Sequence, residues 1–151
     1  MKKYFPWFGL LARLILGGVL ITAGYLKAFN PSKAKMAVRA YEVLPIALAN
    51  ILGVLLPWVE LGVGFLLILG VATRFTARFT ALLMFVFIIA IGQAWARGLS
   101  IDCGCFGGGG QVDPSQTKYL PEIGRDIAFI LISYFLIRYP TSRFALEKED
   151  Q

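Results

Sequence analysis

Four long apolar stretches separated by short polar segments set the pattern of this chain. Apolar residues run continuously through each stretch instead of alternating, which favours helices over the strands of a barrel. About 20 helical residues cross the hydrocarbon core of a bilayer. The pattern therefore predicts an all-α fold, an integral membrane four-helix bundle built as a single domain, 1–151. The predicted spans cover about residues 7–29, 46–72, 75–97 and 121–139.

The fourth stretch is the shortest of the set, because its uncharged centre covers only residues 127–137. Arg125 and Asp126 precede that centre and Arg138 follows it. Long charged side chains at helix ends reach the interface while their stems stay in apolar surroundings. On that basis the helix is predicted to extend to both membrane surfaces.

Composition agrees with a membrane protein. The chain is 58% hydrophobic and 16% charged, with a mean hydropathy of +0.70, whereas soluble domains carry about 25% charged residues. The net charge of +6 comes from basic residues at the ends of the spans, where lipid headgroups favour them, and they form no continuous stripe. Nucleic acid is therefore not an expected partner, and the lipid bilayer is.

A short basic segment, residues 30–45, connects the first two spans. Asn30 followed by Pro31 is typical of a helix start, and Pro45 closes the segment. Its mildly amphipathic pattern predicts a short interfacial helix at the headgroup level. An ordinary loop is the alternative.

The second span carries a single charge, Glu60, three residues after Pro57. A carboxyl group inside a membrane is unfavourable unless it faces the bundle interior with a partner. Counting about 1.5 Å of rise per residue, Arg13 in the first span is the nearest partner in depth. Two interpretations remain open: a structural pair that joins two helices, or a role in proton or quinone chemistry.

The loop of residues 98–120 contains the two cysteines of the chain, Cys103 and Cys105, separated by a glycine. A disulfide closed over one residue is strained and easily reduced, and it contributes little stability because the loop it closes is minimal. This spacing favours a redox pair. Arg97 and Arg125 are the candidate cations for lowering a thiolate pKa, and the glycines at 107–110 are expected to leave the pair open to a partner.

Two alternatives to redox chemistry remain for the cysteines. The pair can act as a simple clamp on a docking loop in a non-catalytic subunit of a larger membrane complex. Alternatively, the two thiolates can bind Cu(I), which prefers soft ligands. A zinc site is not predicted, because the chain has two thiols and no histidine where zinc needs four ligands.

Orientation rests on two basic clusters near span ends. The sequence begins with MKK, and the turn between the second and third spans is TRFTAR. Because basic residues close to spans stay in the cytoplasm, the termini are expected on the cytoplasmic side of the bacterial inner membrane. The cysteine loop then faces the oxidising outer side, where disulfides persist.

Several motifs in this order resemble the MauE/DoxX family of small four-helix membrane proteins, and the cysteines make the MauE-like branch the nearer one. These motifs are RLILGGVLITAGYLKAFNP in the first span, LPWVELGVG in the second, DCGCFG after the third and GRDIAFILISYFL in the fourth.

The resemblance implies a redox-associated membrane protein that works with a periplasmic thioredoxin-like partner in maturing methylamine dehydrogenase or other disulfide-containing proteins. The expected fold is also similar, more distantly, to the quinone-linked thiol oxidoreductases of the DsbB and vitamin K epoxide reductase type. That likeness makes quinone the candidate cofactor and Glu60, Arg13 and Trp58 its candidate contacts. Those enzymes use two cysteine pairs, whereas this chain has one.

Overall fold

The computed structural model describes residues 3–106 and 108–146. Lys2 and Gly107, which belong to the MKK cluster and the glycine run, lie outside the described residues. In the described part, five α-helices account for most of the chain, and a two-stranded ladder and a 3-10 turn lie between the last two. The helices are α1 (Phe5–Ala28), α2 (Pro31–Ala40), α3 (Ile46–Leu69), α4 (Thr73–Ala96) and α5 (Tyr119–Arg138); the strands are β1 (Ile101–Asp102) and β2 (Gly110–Gln111).

The helical membrane fold predicted from the apolar pattern is confirmed. Every predicted span boundary lies within three residues of an observed helix end. Three helices, α1, α3 and α4, are long and apolar enough to cross a membrane. The helix α5 has 20 residues and carries charges in its first turns, so its crossing remains a prediction.

The outer faces of the helices are apolar, as lipid requires. Large side chains such as Phe75, Leu82 and Leu131 expose between 59% and 68% of their surface. The interior is formed by smaller and medium apolar residues, and its central cluster comprises Ala12, Leu16, Leu20, Leu67, Ala77, Met84 and Leu136. A surface more apolar than a soluble protein tolerates supports insertion into a bilayer.

Glycines bring α1 and α3 into backbone contact. A Cβ built on Gly17 would lie 2.9 Å from the carbonyl oxygen of Gly64, and one built on Gly64 would lie 2.9 Å from that of Gly17. Gly24 faces the carbonyl oxygen of Pro57 in the same way, at 2.7 Å. This close approach of small residues is how helices associate in lipid.

The helix α2 lies across α3 and β2. Its buried face consists of Ala34, Ala37 and Ala40, and a Cβ on Gly53 of α3 would lie 2.7 Å from the Cα of Lys35. The predicted short helix is therefore present. Its small side chains pack on protein, and this packing covers the cysteine loop from one side.

Arg13 is fully buried at the end of the bundle where the start of α1 meets the segment that follows α5. Its Nε donates to the carbonyl oxygen of Leu67 at 2.8 Å and its Nη2 to that of Ile68 at 2.6 Å. Its Nη1 donates to the hydroxyl of Ser142. The expected pairing of Arg13 with Glu60 is therefore wrong: Arg13 binds the carbonyl oxygens at the C-terminal end of α3 and ties the tail to them.

Candidate redox site

The two cysteine sulfurs lie in direct contact. Their Sγ atoms are 2.7 Å apart, and both thiols are free. Gly104 between them has a φ of +70°, a left-handed conformation that side chains disfavour. Its N–H donates to Asp102 Oδ1 at 3.2 Å, so the turn that aligns the thiols is built into the backbone. Closing a disulfide of about 2.05 Å needs only a small further movement.

The cysteine loop is docked onto the bundle. The ladder pairs Ile101 with Gln111 and Asp102 with Gly110. A Cβ added to Gly104 or Gly109 would lie 2.7 or 2.4 Å from the Cβ of Ala37. The expected openness is therefore wrong at Gly109, which packs closely against α2, whereas Gly108 is exposed.

Side-chain hydrogen bonds hold both ends of the loop. Tyr119, at the start of α5, donates its hydroxyl to the carbonyl oxygen of Leu99 and accepts from the N–H of Ile101. Tyr41 donates its hydroxyl to the carbonyl oxygen of Cys103 at 3.2 Å. The cysteine loop is thus held by one tyrosine that precedes it in the sequence and one that begins α5. Cys103 is only 9% exposed.

The two thiols differ in acidity because one donates a hydrogen bond to the other. The Cys103 thiol donates to Cys105, and this hydrogen bond together with burial raises the pKa of Cys103. The same hydrogen bond, aided by the positive charge of Arg125, lowers the pKa of Cys105 against the opposing effect of burial. Cys105, half-buried and the more exposed of the two, is therefore the more acidic thiol of the pair.

Of the two arginines predicted to act on the thiols, Arg125 is the one that the structure places there. It is held by Asp126, whose Oδ1 lies 3.0 Å from its Nη2, and its guanidinium carbon lies 5.1 Å from the ring centre of Phe106. Arg97 instead donates to the carbonyl oxygens of Tyr41 and Glu42, 3.2 Å from each. These contacts hold the connection between α2 and α3, whereas the Arg125 charge is among the largest effects on the pKa of Cys105.

A buried ion pair lies on the inner side of the thiols. Lys27 Nζ is 2.8 Å from Glu60 Oε1 and 2.7 Å from Oε2, and the two side chains are 7% and 1% exposed. Glu60 therefore does have a partner inside the bundle, as predicted, but that partner is Lys27. A buried charge without such a partner would be strongly unfavourable.

Two small cavities join this ion pair to the thiols. One, of about 40 Å³, is lined by Lys27, Pro57 and both cysteines; the other, of about 20 Å³, is lined by Glu60, Cys105 and Arg125. Each has room for water, which needs roughly 10–15 Å³. The ion pair and the thiols thus border the same small, mostly apolar cavities.

The cavities next to the thiols are too small for a quinone. Pockets for drug-sized ligands measure roughly 300–1,000 Å³, far more than either cavity. Trp58, a predicted quinone contact, is 59% exposed on the outer face, and Arg13 is engaged at the terminal end of the bundle. The assignment of Glu60, Arg13 and Trp58 to quinone stays a prediction.

One set of potential metal ligands lies at the site. Donor atoms of Asp102, Cys103 and Glu122 all lie within 4.8 Å of one another. The Arg125 guanidinium is close enough to act on the thiols, which disfavours a second cation. Two sulfurs on one tetrahedral ion, each about 2.3 Å from it, would also be roughly 3.8 Å apart, wider than the pair observed here.

Sequence reasoning missed three residues of the site. These residues are Lys27, Glu122 and Tyr41, none of which the sequence pattern assigns to the site. A weak signal existed for Glu122, because an acid three residues before Arg125 shares its helical face. Nothing local pointed to Tyr41, which reaches the loop through the packing of α2.

Comparison with known proteins identifies the family of this chain. The family model of the methylamine utilisation protein MauE matches residues 5–139. The methylamine utilization protein MauE of Methylorubrum extorquens is 42% identical over 73 residues, which cover 48% of this chain and 39% of that relative. No solved structure matches this chain. Because the family model matches nearly the whole described bundle, including the cysteine loop and the Lys27–Glu60 pair, the chain belongs to the MauE family.

Proposed function

We propose that this chain is a membrane thiol–disulfide redox protein that exchanges electrons through Cys103 and Cys105 with an extracytoplasmic thioredoxin-like protein. The observation that carries the proposal is the contact between the two sulfurs, 2.7 Å apart, with one acidic and one proton-holding thiol. Thiol exchange needs a thiolate to attack and a second thiol to resolve, and this pair supplies both.

The reduced pair reacts in two steps. The Cys105 thiolate attacks a partner disulfide, forms a mixed disulfide and releases the first partner sulfur as a thiolate. Cys103 then loses its proton and attacks Cys105, which closes the Cys103–Cys105 bond and releases the second partner sulfur. Two electrons pass to the partner, and the same steps in reverse oxidise a reduced partner.

The family supports a place for this exchange. Its members are described as methylamine utilisation proteins, and a membrane accessory protein that supplies or removes disulfides fits maturation of a disulfide-containing enzyme of that process. The charge pattern of the spans favours the bacterial inner membrane with the cysteine loop on the outer side. Labelling of intact cells with a membrane-impermeant thiol reagent tests that orientation.

A trapping experiment tests the function. In membranes that contain a thioredoxin-like protein, Cys103→Ser should accumulate a mixed disulfide through Cys105, because the resolving thiol is gone. Cys105→Ser should accumulate at least about tenfold less of the mixed disulfide, since the remaining Cys103 thiol is mostly protonated. The double serine variant is the control. Absence of any adduct in Cys103→Ser, with the protein normally inserted, would contradict the proposal.

A further inference from the structure

The fate of one proton is left open by the exchange reaction. In the reduced pair the Cys103 thiol donates its hydrogen bond to Cys105. Once Cys105 has bonded to a partner sulfur, it no longer accepts that proton. Cys103 becomes a nucleophile only as a thiolate, so the resolving step needs another acceptor within reach of Cys103 Sγ.

Glu122, in the first turn of α5, is placed to take this proton. One of its carboxylate oxygens lies within 4.8 Å of Cys103 Sγ. Its Oε2 is buried and has no hydrogen-bond partner among the described residues. Buried polar atoms without partners are uncommon and call for an explanation. A carboxylate oxygen that accepts and releases a proton during the reaction would explain the missing partner of Glu122 Oε2.

Two other ionisable groups near Cys103, Asp102 and Tyr41, already make contacts of their own. Asp102 Oδ1 accepts the N–H of Gly104, so its carboxylate fixes the turn. Burial raises the pKa of Tyr41, which keeps its hydroxyl a donor to the backbone. The titratable groups that face Cys103 and Cys105 from the packed elements are Lys27 of α1, Tyr41 after α2, Glu60 of α3, Asp102 of β1, and Glu122, Arg125 and Asp126 of α5.

We infer that Glu122 is a catalytic residue, the general base that accepts the Cys103 proton during resolution of the mixed disulfide. The inference rests on the proposed thiol exchange. In the resolving step the S–H bond of Cys103 breaks and its proton passes to Glu122. The Cys103–Cys105 bond forms, the Cys105–partner bond breaks, and the partner leaves as a thiolate. In the reverse direction protonated Glu122 returns the proton to Cys103.

The two steps can be timed without the natural partner. An aryl disulfide reagent releases one coloured thiolate when Cys105 attacks it and a second when Cys103 resolves the adduct. In the detergent-purified full chain, Glu122→Gln should leave the first phase within about twofold and slow the second phase at least tenfold near neutral pH, a modest effect for a general base. The rate of the slowed phase should rise with pH, because hydroxide then removes the proton.

Two further variants separate catalysis from structure. Glu122→Asp keeps a carboxylate and should recover part of the second-phase rate. Glu42→Gln removes an exposed acid that pairs with Arg97 at 3.6 Å and should leave both phases unchanged. A second phase in Glu122→Gln as fast as in the unmodified chain would overturn the inference, as would equal slowing of both phases.

The outcomes also separate this inference from the proposed function. If Cys103→Ser traps a partner while Glu122→Gln resolves the aryl adduct normally, Glu122 has no catalytic role and the exchange function stands. If no partner is trapped, the exchange function fails, although the aryl disulfide experiment still decides whether Glu122 serves the thiols.

Discussion

Lys27 and Glu60 form a closed ion pair inside the bundle, with Lys27 Nζ 2.8 and 2.7 Å from the two carboxylate oxygens. The pair joins the end of α1 to the middle of α3 and lines the cavities that border the thiols. It therefore fastens the two helices to each other and places two charged groups beside the cavities that border the thiols.

Removing one member of this pair should destabilise the protein. Lys27→Met leaves the Glu60 carboxylate without its cation, and loss of one partner from a buried pair costs roughly 3–5 kcal/mol. The double variant Lys27→Met/Glu60→Gln removes both charges and should recover much of that loss. Unfolding in detergent mixtures measures the difference, and Lys33→Met, at an exposed position of α2, is the control. Equal stability of single and double variants would argue against a coupled pair.

Neighbouring glycines of α1 provide a test of helix packing. A Cβ on Gly17 would meet Gly64 at 2.9 Å, whereas a Cβ on Gly18 would meet nothing within 4 Å. Gly17→Ala should therefore lower the free energy of unfolding by about 1–3 kcal/mol, as overpacking does. Gly18→Ala should be neutral or slightly stabilising, because alanine is the better helix former. The same unfolding assay compares them, and equal effects would place the α1–α3 contact elsewhere.

Arg125 should control the reactivity of Cys105. Its positive charge lowers the pKa of Cys105, so its loss should raise that pKa and reduce the thiolate fraction at neutral pH. The double variant Arg125→Gln/Asp126→Asn avoids an unpaired carboxylate and should move the alkylation profile of Cys105 to higher pH. Arg97→Gln should leave the profile in place. A shift with Arg97 and none with Arg125 would reverse the assignment.

The helices could be predicted from sequence because each depends on a local property. Long uncharged runs fix where a helix can lie in lipid, and Gly70, at φ +71°, ends α3 as glycine commonly does. The short helix α2 followed from Asn30, Pro31 and Pro45 in the same way. These signals lie within a few residues of the boundaries that they determine.

The partners of buried charges could not be predicted, because they depend on how the helices are offset. Depth counted along each helix matched Glu60 with Arg13. However, α3 continues past the end of α1 to meet α2, and Gly24 lies beside Pro57 and Leu61, which brings Glu60 within reach of the Lys27 side chain. The docked loop is a similar case. Gly104 and Gly109 contact Ala37, more than 60 positions away in the chain, and no local pattern encodes such a contact.

The reversible bond between Cys103 and Cys105 is tested most directly by equilibrating the purified full chain in graded glutathione buffers. The free thiols are then alkylated, and mass spectrometry measures the fractions of dithiol and disulfide. The account predicts interconversion of the dithiol and the disulfide, with a midpoint above roughly −300 mV, the range of labile disulfides. A pair that stays reduced in every buffer, or a disulfide that none of them opens, would contradict it.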